Sequence, residues 1–386
     1  MPPIRFIHAA DLHLDAAFSG LSRDIPADFA ERLRTATFTA FRRLLDLCER
    51  ESPDFLLLAG DVYNQEDASV SAQLALRDGF RRLESLSIPV FLVHGNHDPL
   101  ASRLRSVRWP GNVTVFGELP DAVPVFRKGE GTPFAIIHGA SHASGRETRN
   151  LAALFRRTEA CGLHVGLLHA TPGDADGVAR YAPFSQGDLK ASGMDYWALG
   201  HIHDRREVCR EPLAAYPGCT QGLHINEPGE KGCLLVTAEA RPDGGYAVRT
   251  SFRPLGPAVW KTLDMDLGGA ASLDELENRL RTGLDRAAAE VWSGCEMLLV
   301  RLRLQGRTEL DGLLRKGTTC AELADRLRED GSGVPRIWIK DIDVATRPCV
   351  ERGALLERED LLGEVFRLSE AARTASGLQA LREGPL

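Results

Sequence analysis

The chain has 386 residues, 43% of them hydrophobic, a mean hydropathy of -0.19 and a formal net charge of -7. That length suits a large core divided into two or three units, and no uninterrupted apolar run approaches membrane-spanning length. The acidic balance argues against a freestanding nucleic-acid binder, because affinity for a phosphate backbone comes from lysine and arginine. Eight cysteines, scattered singly without a CxxC pair, read as reduced core residues of a cytoplasmic protein. The opening Met1-Pro2-Pro3-Ile4-Arg5-Phe6 runs straight into a strand, with no signal layout.

Along the first half, five short apolar runs each end in a polar cluster. Phe6-Ile7-His8 leads to Asp11-Leu12-His13, and Phe55-Leu56-Leu57-Leu58-Ala59 to Gly60-Asp61. Val90-Phe91-Leu92-Val93 leads to Gly95-Asn96-His97-Asp98, Val165-Gly166-Leu167-Leu168 to His169, and Tyr196-Trp197-Ala198-Leu199 to Gly200-His201-Ile202-His203. Runs of this length closed by glycine or a polar turn predict buried strands of a parallel or mixed sheet. Between them, Glu31-Arg32-Leu33-Arg34 and Arg42-Arg43 read as the solvated face of a helix. The loop Val62-Tyr63-Asn64-Gln65-Glu66-Asp67 is acidic, a poor surface for a DNA backbone. Arg103, Arg105 and Arg108, just after the Gly-Asn-His-Asp turn, are the better phosphate contacts.

A strand over Ala247-Val248-Arg249-Thr250-Ser251-Phe252 then meets the break Arg253-Pro254-Leu255-Gly256-Pro257, which divides residues 1–256 from a second unit over 257–350. There, Trp260–Leu267 alternates as a half-exposed strand, and Ser272-Leu273-Asp274-Glu275 caps a helix running to about Val291. A strand over Met297–Leu304, a helix around Ala321–Glu329 and a strand over Arg336–Lys340 complete a small α/β unit. In the final segment, 351–386, Leu361, Leu362, Val365, Phe366 and Leu368 recur at helical spacing. The favoured reading is a helix folded back on its own domain; the sharper one is a docking helix for a partner.

In open α/β sheets, ligands gather beyond the carboxyl ends of the strands, so the five clusters are expected to converge. Any one of them alone is an ordinary turn or capped strand end. Imidazole, carboxylate and amide oxygen together favour first-row divalent ions, and no cysteine joins the set. A carboxylate can bridge two ions roughly 3.5–4 Å apart, and such a pair hydrolyses phosphate esters. Asp61 is the expected bridge, with Asp11, His13 and His203 completing one ion and Asn96, His169 and His201 the other. His97 is then left to protonate the leaving oxygen, with Asp98 orienting its imidazole. His8, His94, His138, His142 and His164 read as core or strand-end histidines.

The ordered set Asp-x-His, Gly-Asp, Gly-Asn-His-Asp, His and Gly-His-x-His resembles the calcineurin-like metallophosphoesterases. Phe6–Asp15, Met194–His203 and Tyr216-Pro217-Gly218-Cys219-Thr220-Gln221-Gly222 narrow the resemblance to the DNA-repair exonuclease branch, the SbcD and YhaO-like proteins. The resemblance implies an α/β fold: a four-layer α-β-β-α sandwich, with a smaller α/β capping domain and a C-terminal helical segment. It also implies two metal ions, most readily Mn2+, held by Asp11, His13, Asp61, Asn96, His169, His201 and His203, with His97 catalytic. DNA is the implied substrate, an SbcC-like coiled-coil ATPase the implied partner of an exonuclease subunit, and a homodimer is compatible with it. The alternatives are a metallophosphoesterase for small phosphodiesters or phosphoproteins, and a DNA-end-binding subunit with vestigial hydrolysis. One departure stands out: the stretch that usually reads Gln-Gly-Arg-His is Gln221-Gly222-Leu223-His224, so an arginine suited to a phosphate is missing. His224 fits the pattern and is expected near the rim of the site.

Overall fold

A computed structural model describes residues 2–21, 25–64, 69–102, 107–174, 179–242, 244–329, 333–349 and 352–373. It divides into two compact units, one of residues 1–262, 287–301 and 331–340, the other of 263–286, 302–330 and 341–386.

In the first unit, the chain runs through β1 (Ile4–Ala9), α1 (Ala27–Arg34), α2 (Ala36–Glu51), β2 (Phe55–Ala59), α3 (Val70–Ser85), β3 (Val90–Val93) and β4 (Val113–Val115). It continues through β5 (Asp121–Val125), β6 (Ala135–Ala140), β7 (Leu163–His169), α4 (Gln186–Ala191), β8 (Tyr196–Gly200), β9 (Arg206–Arg210) and β10 (Leu213–Tyr216), and then through the long strands β11 (Gly232–Ala240) and β12 (Tyr246–Pro254). These strands build two six-stranded sheets, in the orders β12-β11-β1-β2-β3-β4 and β5-β6-β7-β8-β10-β9. β1 through β4 are mutually parallel, as are β6, β7, β8 and β10.

Because side chains alternate across a strand, each apolar run serves two cores at once. Phe6, Phe55, Leu57, Phe91 and Val93 point toward the second sheet, against Ile137, Val165, Leu167 and Tyr196. The Phe6 and Phe55 rings stack there at 4.8 Å. Ile7, Leu56, Leu58 and Leu92 point the other way, onto Phe41 and Leu44 of α2 and Leu76 and Phe80 of α3. Leu168, Trp197 and Leu199 leave the outer face of the second sheet for Phe155 and Leu189. The result is the expected four-layer α-β-β-α sandwich. Burying each such Phe or Leu stabilises it by about 1.5–3 kcal/mol. No room is wasted at the second sheet: a β-carbon on Gly166 would stand 2.6 Å from the Trp197 ring.

Arg43 departs from the solvated face expected of it. Its guanidinium donates to the Leu255 carbonyl (3.0 Å) and to Glu296 (2.7 Å), and lies over the Trp292 ring. Of the cysteines, all free, Cys48, Cys209, Cys219, Cys233 and Cys295 are buried as expected, whereas Cys161 and Cys349 are exposed.

The rest of the chain supplies β13 (Ala258–Asp266), α5 (Leu273–Glu290), β14 (Met297–Gln305), β15 (Arg307–Thr308), α6 (Asp311–Leu314), α7 (Thr319–Glu329), β16 (Arg336–Val344) and β17 (Arg347–Pro348). β13, β14 and β16 form a three-stranded sheet with β14 central. Within the second unit, Thr308 Oγ1 donates to the Ala270 carbonyl (2.6 Å), and Asp311 accepts from Thr346 (2.7 Å) and Arg315 (3.0 Å). The final described helices are α8 (Arg352–Leu356) and α9 (Leu361–Ala371), whose Leu361 is 80% and Val365 54% exposed. The expected folding of this stripe back onto a core is therefore not met among the described residues. No helix of these residues is long and apolar enough to cross a membrane.

Candidate metal centre

The five clusters leave the carboxyl ends of β1, β2, β3, β7 and β8, three from one sheet and two from the other. Beyond the last paired strand residues, the loops after β1 and β2 stay zipped together. Asp11 N donates to the Gly60 carbonyl, His13 N to that of Asp61 and Leu14 N to that of Val62, at 3.0–3.1 Å. The backbone turns sharply at the functional positions themselves. Asp11 (φ 51°), His13 (φ 42°), Asp61 (φ 48°) and His201 (φ 103°) all adopt positive φ, which side-chain-bearing residues rarely do.

The turn glycines have a steric purpose. A β-carbon on Gly60 would lie 2.5 Å from Nδ1 of His169, one on Gly95 would strike the Asp61 carboxylate, and one on Gly200 the Ala59 carbonyl.

Two groups of donors gather from the expected ligands, Asp11, His13 and His203, and Asp61, His169 and His201, and a third, His203, Cys219 and Glu227, shares His203 with the first. Within each, one donor atom per residue lies within 4.8 Å of the others. Asp61 stands between the first two, its Oδ2 3.3 Å from His169 Nε2 and 4.0 Å from His13 Nε2. Asn96 Oδ1 lies 3.0 Å from His169 Nε2, and His13 and His203 present their Nε2 atoms to each other at 3.1 Å. All seven residues expected as ligands are thus brought together. His169 Nδ1 donates to the Ala59 carbonyl (2.9 Å), and His201 Nε2 to that of Ala179 (3.2 Å). These bonds fix which nitrogen of each ring faces the site.

Burial of Asp11, His13, Asp61 and His169 is nearly complete. It pushes His13 down to about 3 and raises Asp11 to about 6. Burial also works to raise Asp61, but the charge and hydrogen bond of His169, with His13 adding to them, hold its carboxyl well below the usual range. The same pairing overrides burial at His169 and lifts it to about 9. A neutral imidazole at His13, an anion at Asp61 and convergent nitrogen and oxygen donors fit divalent first-row ions.

His97 is exposed beside this cluster, its ring 5.1 Å from that of His13. Its Nδ1 donates to the Asn64 carbonyl (2.9 Å), and its backbone N–H to Asp61 Oδ1 (2.9 Å). The orienting role expected of Asp98 is corrected here. Asp98 is fully buried and accepts from the backbone N–H groups of Gly95 (2.8 Å) and Val62 (3.0 Å), so it fastens two loops and leaves the His97 ring to Asn64. Gln65, Glu66 and Asp67 of the acidic loop lie outside the described residues, as do Arg103 and Arg105; Arg108 is exposed.

The bystander histidines behave as core groups. His8 bonds the Tyr196 hydroxyl (2.9 Å), His138 pairs with His164 (2.9 Å), and His142 donates to the His169 carbonyl (2.6 Å). His94 donates its backbone N–H to Ser141 Oγ (3.0 Å). His224, half-buried, accepts from the Asn226 N–H (3.1 Å). Gln221 is bound on both sides to the Ala258 backbone, and Leu223 lends its carbonyl to Ser19 N. One residue was missed altogether: Glu227, whose Oε1 lies 2.5 Å from His203 Nδ1. No motif marks it; only its position in the turn after the Tyr-Pro-Gly stretch hints at it.

The family profile described as calcineurin-like phosphoesterase matches residues 4–205, the span that carries every one of these candidate ligands. The chain belongs to this family. A second profile, the middle domain of the metallophosphoesterase YhaO, matches residues 260–347. Over 99% of its length the chain is 34% identical to the uncharacterized metallophosphoesterase YhaO of Bacillus subtilis, covering 91% of that protein. It is also similar to proteins named DNA double-strand break repair protein Mre11. The Aeropyrum pernix one is 28% identical over 75% of this chain and 69% of its own, and the Haloferax volcanii one 24% identical over 95% and 78%. This metallophosphoesterase is thus similar to the YhaO relative over nearly its full length.

Proposed function

We propose that this metallophosphoesterase hydrolyses DNA phosphodiesters with manganese, as the exonuclease subunit of an SbcCD-like repair complex whose coiled-coil ATPase partner docks on its C-terminal segment. The residues of the site would be Asp11, His13, Asp61, Asn96, His169, His201 and His203 as ligands and His97 as the catalytic group. The catalytic domain would be residues 1–256, with a capping domain over 257–350. The observation that carries the reading is the placement of Asp61 Oδ2 toward both His169 and His13, with His97 alongside. The similarity to the Mre11 repair proteins supports DNA as the substrate.

When bound, two divalent ions would supply polarisation of a phosphoryl oxygen and a water acidic enough to act at neutral pH. The chain's own groups do the rest. Asp61 stays anionic between the two ligand groups. The Ala59 carbonyl keeps His169 Nε2 turned inward. His97, anchored through Nδ1 by Asn64, has Nε2 to hold the proton that the leaving oxygen takes up. Asp11, His13 and His169 form a deeply buried floor, whereas Asn96, His201 and His203 are only partly buried.

A second reading, hydrolysis of small phosphodiesters, draws support from Leu223 in place of arginine and from the net charge of -7. Metal-stripped chain resupplied with manganese or magnesium, incubated with end-labelled duplex DNA beside its His97→Asn variant, separates the two. A manganese-dependent ladder absent from the variant is expected. Intact DNA together with hydrolysis of an aryl phosphodiester would put the second reading first.

A further inference from the structure

Resting on the two-metal reading above, we propose that Glu227 is a positioning residue that makes the Asp11–His13–His203 group the tighter of the two metal positions. The four histidines of the two ligand groups have their second nitrogen accounted for differently. His169 and His201 donate to neutral carbonyls, those of Ala59 and Ala179. Among the described residues, His13 has no partner for its buried Nδ1. His203 donates Nδ1–H to a carboxylate, Glu227 Oε1 at 2.5 Å, while its Nε2 faces His13 Nε2 at 3.1 Å and Asp11 Oδ1 at 3.9 Å.

A carboxylate behind an imidazole locks the tautomer and makes the opposite nitrogen a stronger donor, an effect on metal affinity of about 10–100-fold. The charge falls on one ligand group and not the other, so the two positions are unequal.

Glu227 is itself held for this task. Its Oε2 accepts from Leu223 N (2.6 Å), its own N–H donates to the His224 carbonyl (2.9 Å), and Leu223 O takes Ser19 N (3.0 Å). The turn from Leu223 to Glu227 therefore presents the carboxylate rigidly to His203. The loop is also fastened on the other side of the same histidine. Lys231, 6% exposed, donates Nζ to the His203 carbonyl (3.0 Å) and to Asp204 (3.1 Å). A purely structural role would need the bond to Leu223 alone; the short contact to His203 is what the proposal adds.

Manganese titration of the metal-stripped full chain, read as free Mn2+ by electron paramagnetic resonance, tests it with wild type, Glu227→Gln and Glu227→Ala. Glutamine keeps an oxygen for Leu223 N–H while removing the charge. The expected result is two unequal sites in wild type, with the tighter one weakened about ten-fold or more in Glu227→Gln. The weaker site and the melting temperature of the metal-free protein should not change. Glu227→Ala should show the same loss together with a lower melting temperature. Wild-type affinities in Glu227→Gln, or equal weakening of both sites, would overturn the proposal. So would two equal sites in wild type, which leaves the two-metal reading standing; a wild type that binds no manganese overturns both.

Discussion

His97 is tethered at one nitrogen by a carbonyl on a different loop, and its ring touches the centre only from the side. Replacing it should therefore separate chemistry from metal binding. His97→Asn is expected to keep its manganese and lose about 10²–10⁴-fold in turnover, the usual share of a general acid, whereas Asp61→Ala should lose both; calorimetric manganese binding beside initial rates reads the difference. Gly95 offers a sharper contrast, because a single methyl there would press on the Asp61 carboxylate. Gly95→Ala should weaken metal uptake and cost about 1–3 kcal/mol by overpacking. Gly166→Ala, which presses on Trp197 instead, should cost a similar amount in a denaturant titration while metal binding stays near wild type. The residues proposed as ligands could be picked out of the chain because each closes an apolar run. The supporting groups could not: Asp98 sits next to His97 in sequence yet turns under the loops, and Glu227 reaches His203 across 24 residues with nothing periodic to announce it.

At the level of elements, the runs buried on both faces were legible almost to the residue. Phe55–Ala59 and Val90–Val93 are β2 and β3, and the helix expected from Ser272 to Val291 is α5, Leu273–Glu290. Strands such as β5 (DAVPV) and β9 (REVCR) escaped notice, since an edge strand with one wet face carries arginine, aspartate and proline and has no uninterrupted apolar signal. The C-terminal stripe was legible as a helix, but the burial expected of it is not met among the described residues. Spacing alone says that a face is apolar, not what covers it. Because Leu361, Leu362, Val365 and Leu368 are exposed on α9, deleting residues beyond Glu357 should leave a folded chain with intact metal-dependent hydrolysis. Size-exclusion chromatography and an aryl phosphodiester assay check this; an insoluble truncation would show that the stripe belongs to the core. Loss of co-purification with a coiled-coil ATPase, with hydrolysis kept, is the result expected of a docking helix.

For the molecule as a whole, the buried histidines outside the ligand set contribute to its response to acid. Burial pushes His8 down to about 3 and His138, with its neighbour His164 adding to the effect, down to about 4, from 6.5 in an unfolded chain. Below pH 6.5 the unfolded chain takes up protons that the folded one refuses, so unfolding gains ground as pH falls. Their contribution is complete above pH 6.5 and is lost progressively toward pH 3–4. Melting temperatures measured between pH 8 and pH 5 should decline, and His138→Gln should flatten that slope. The left-handed backbone at Asp11, His13, Asp61 and His201 has a consequence of another kind. Each such residue stores of order 1–3 kcal/mol of conformational strain, which persists only while the surroundings hold it. Metal ions that grip their side chains would act as rivets on a bent frame. Chelation should therefore loosen these corners before any strand parts, appearing in hydrogen–deuterium exchange as early exposure of the turns after β1, β2 and β8 while the sandwich interior stays protected.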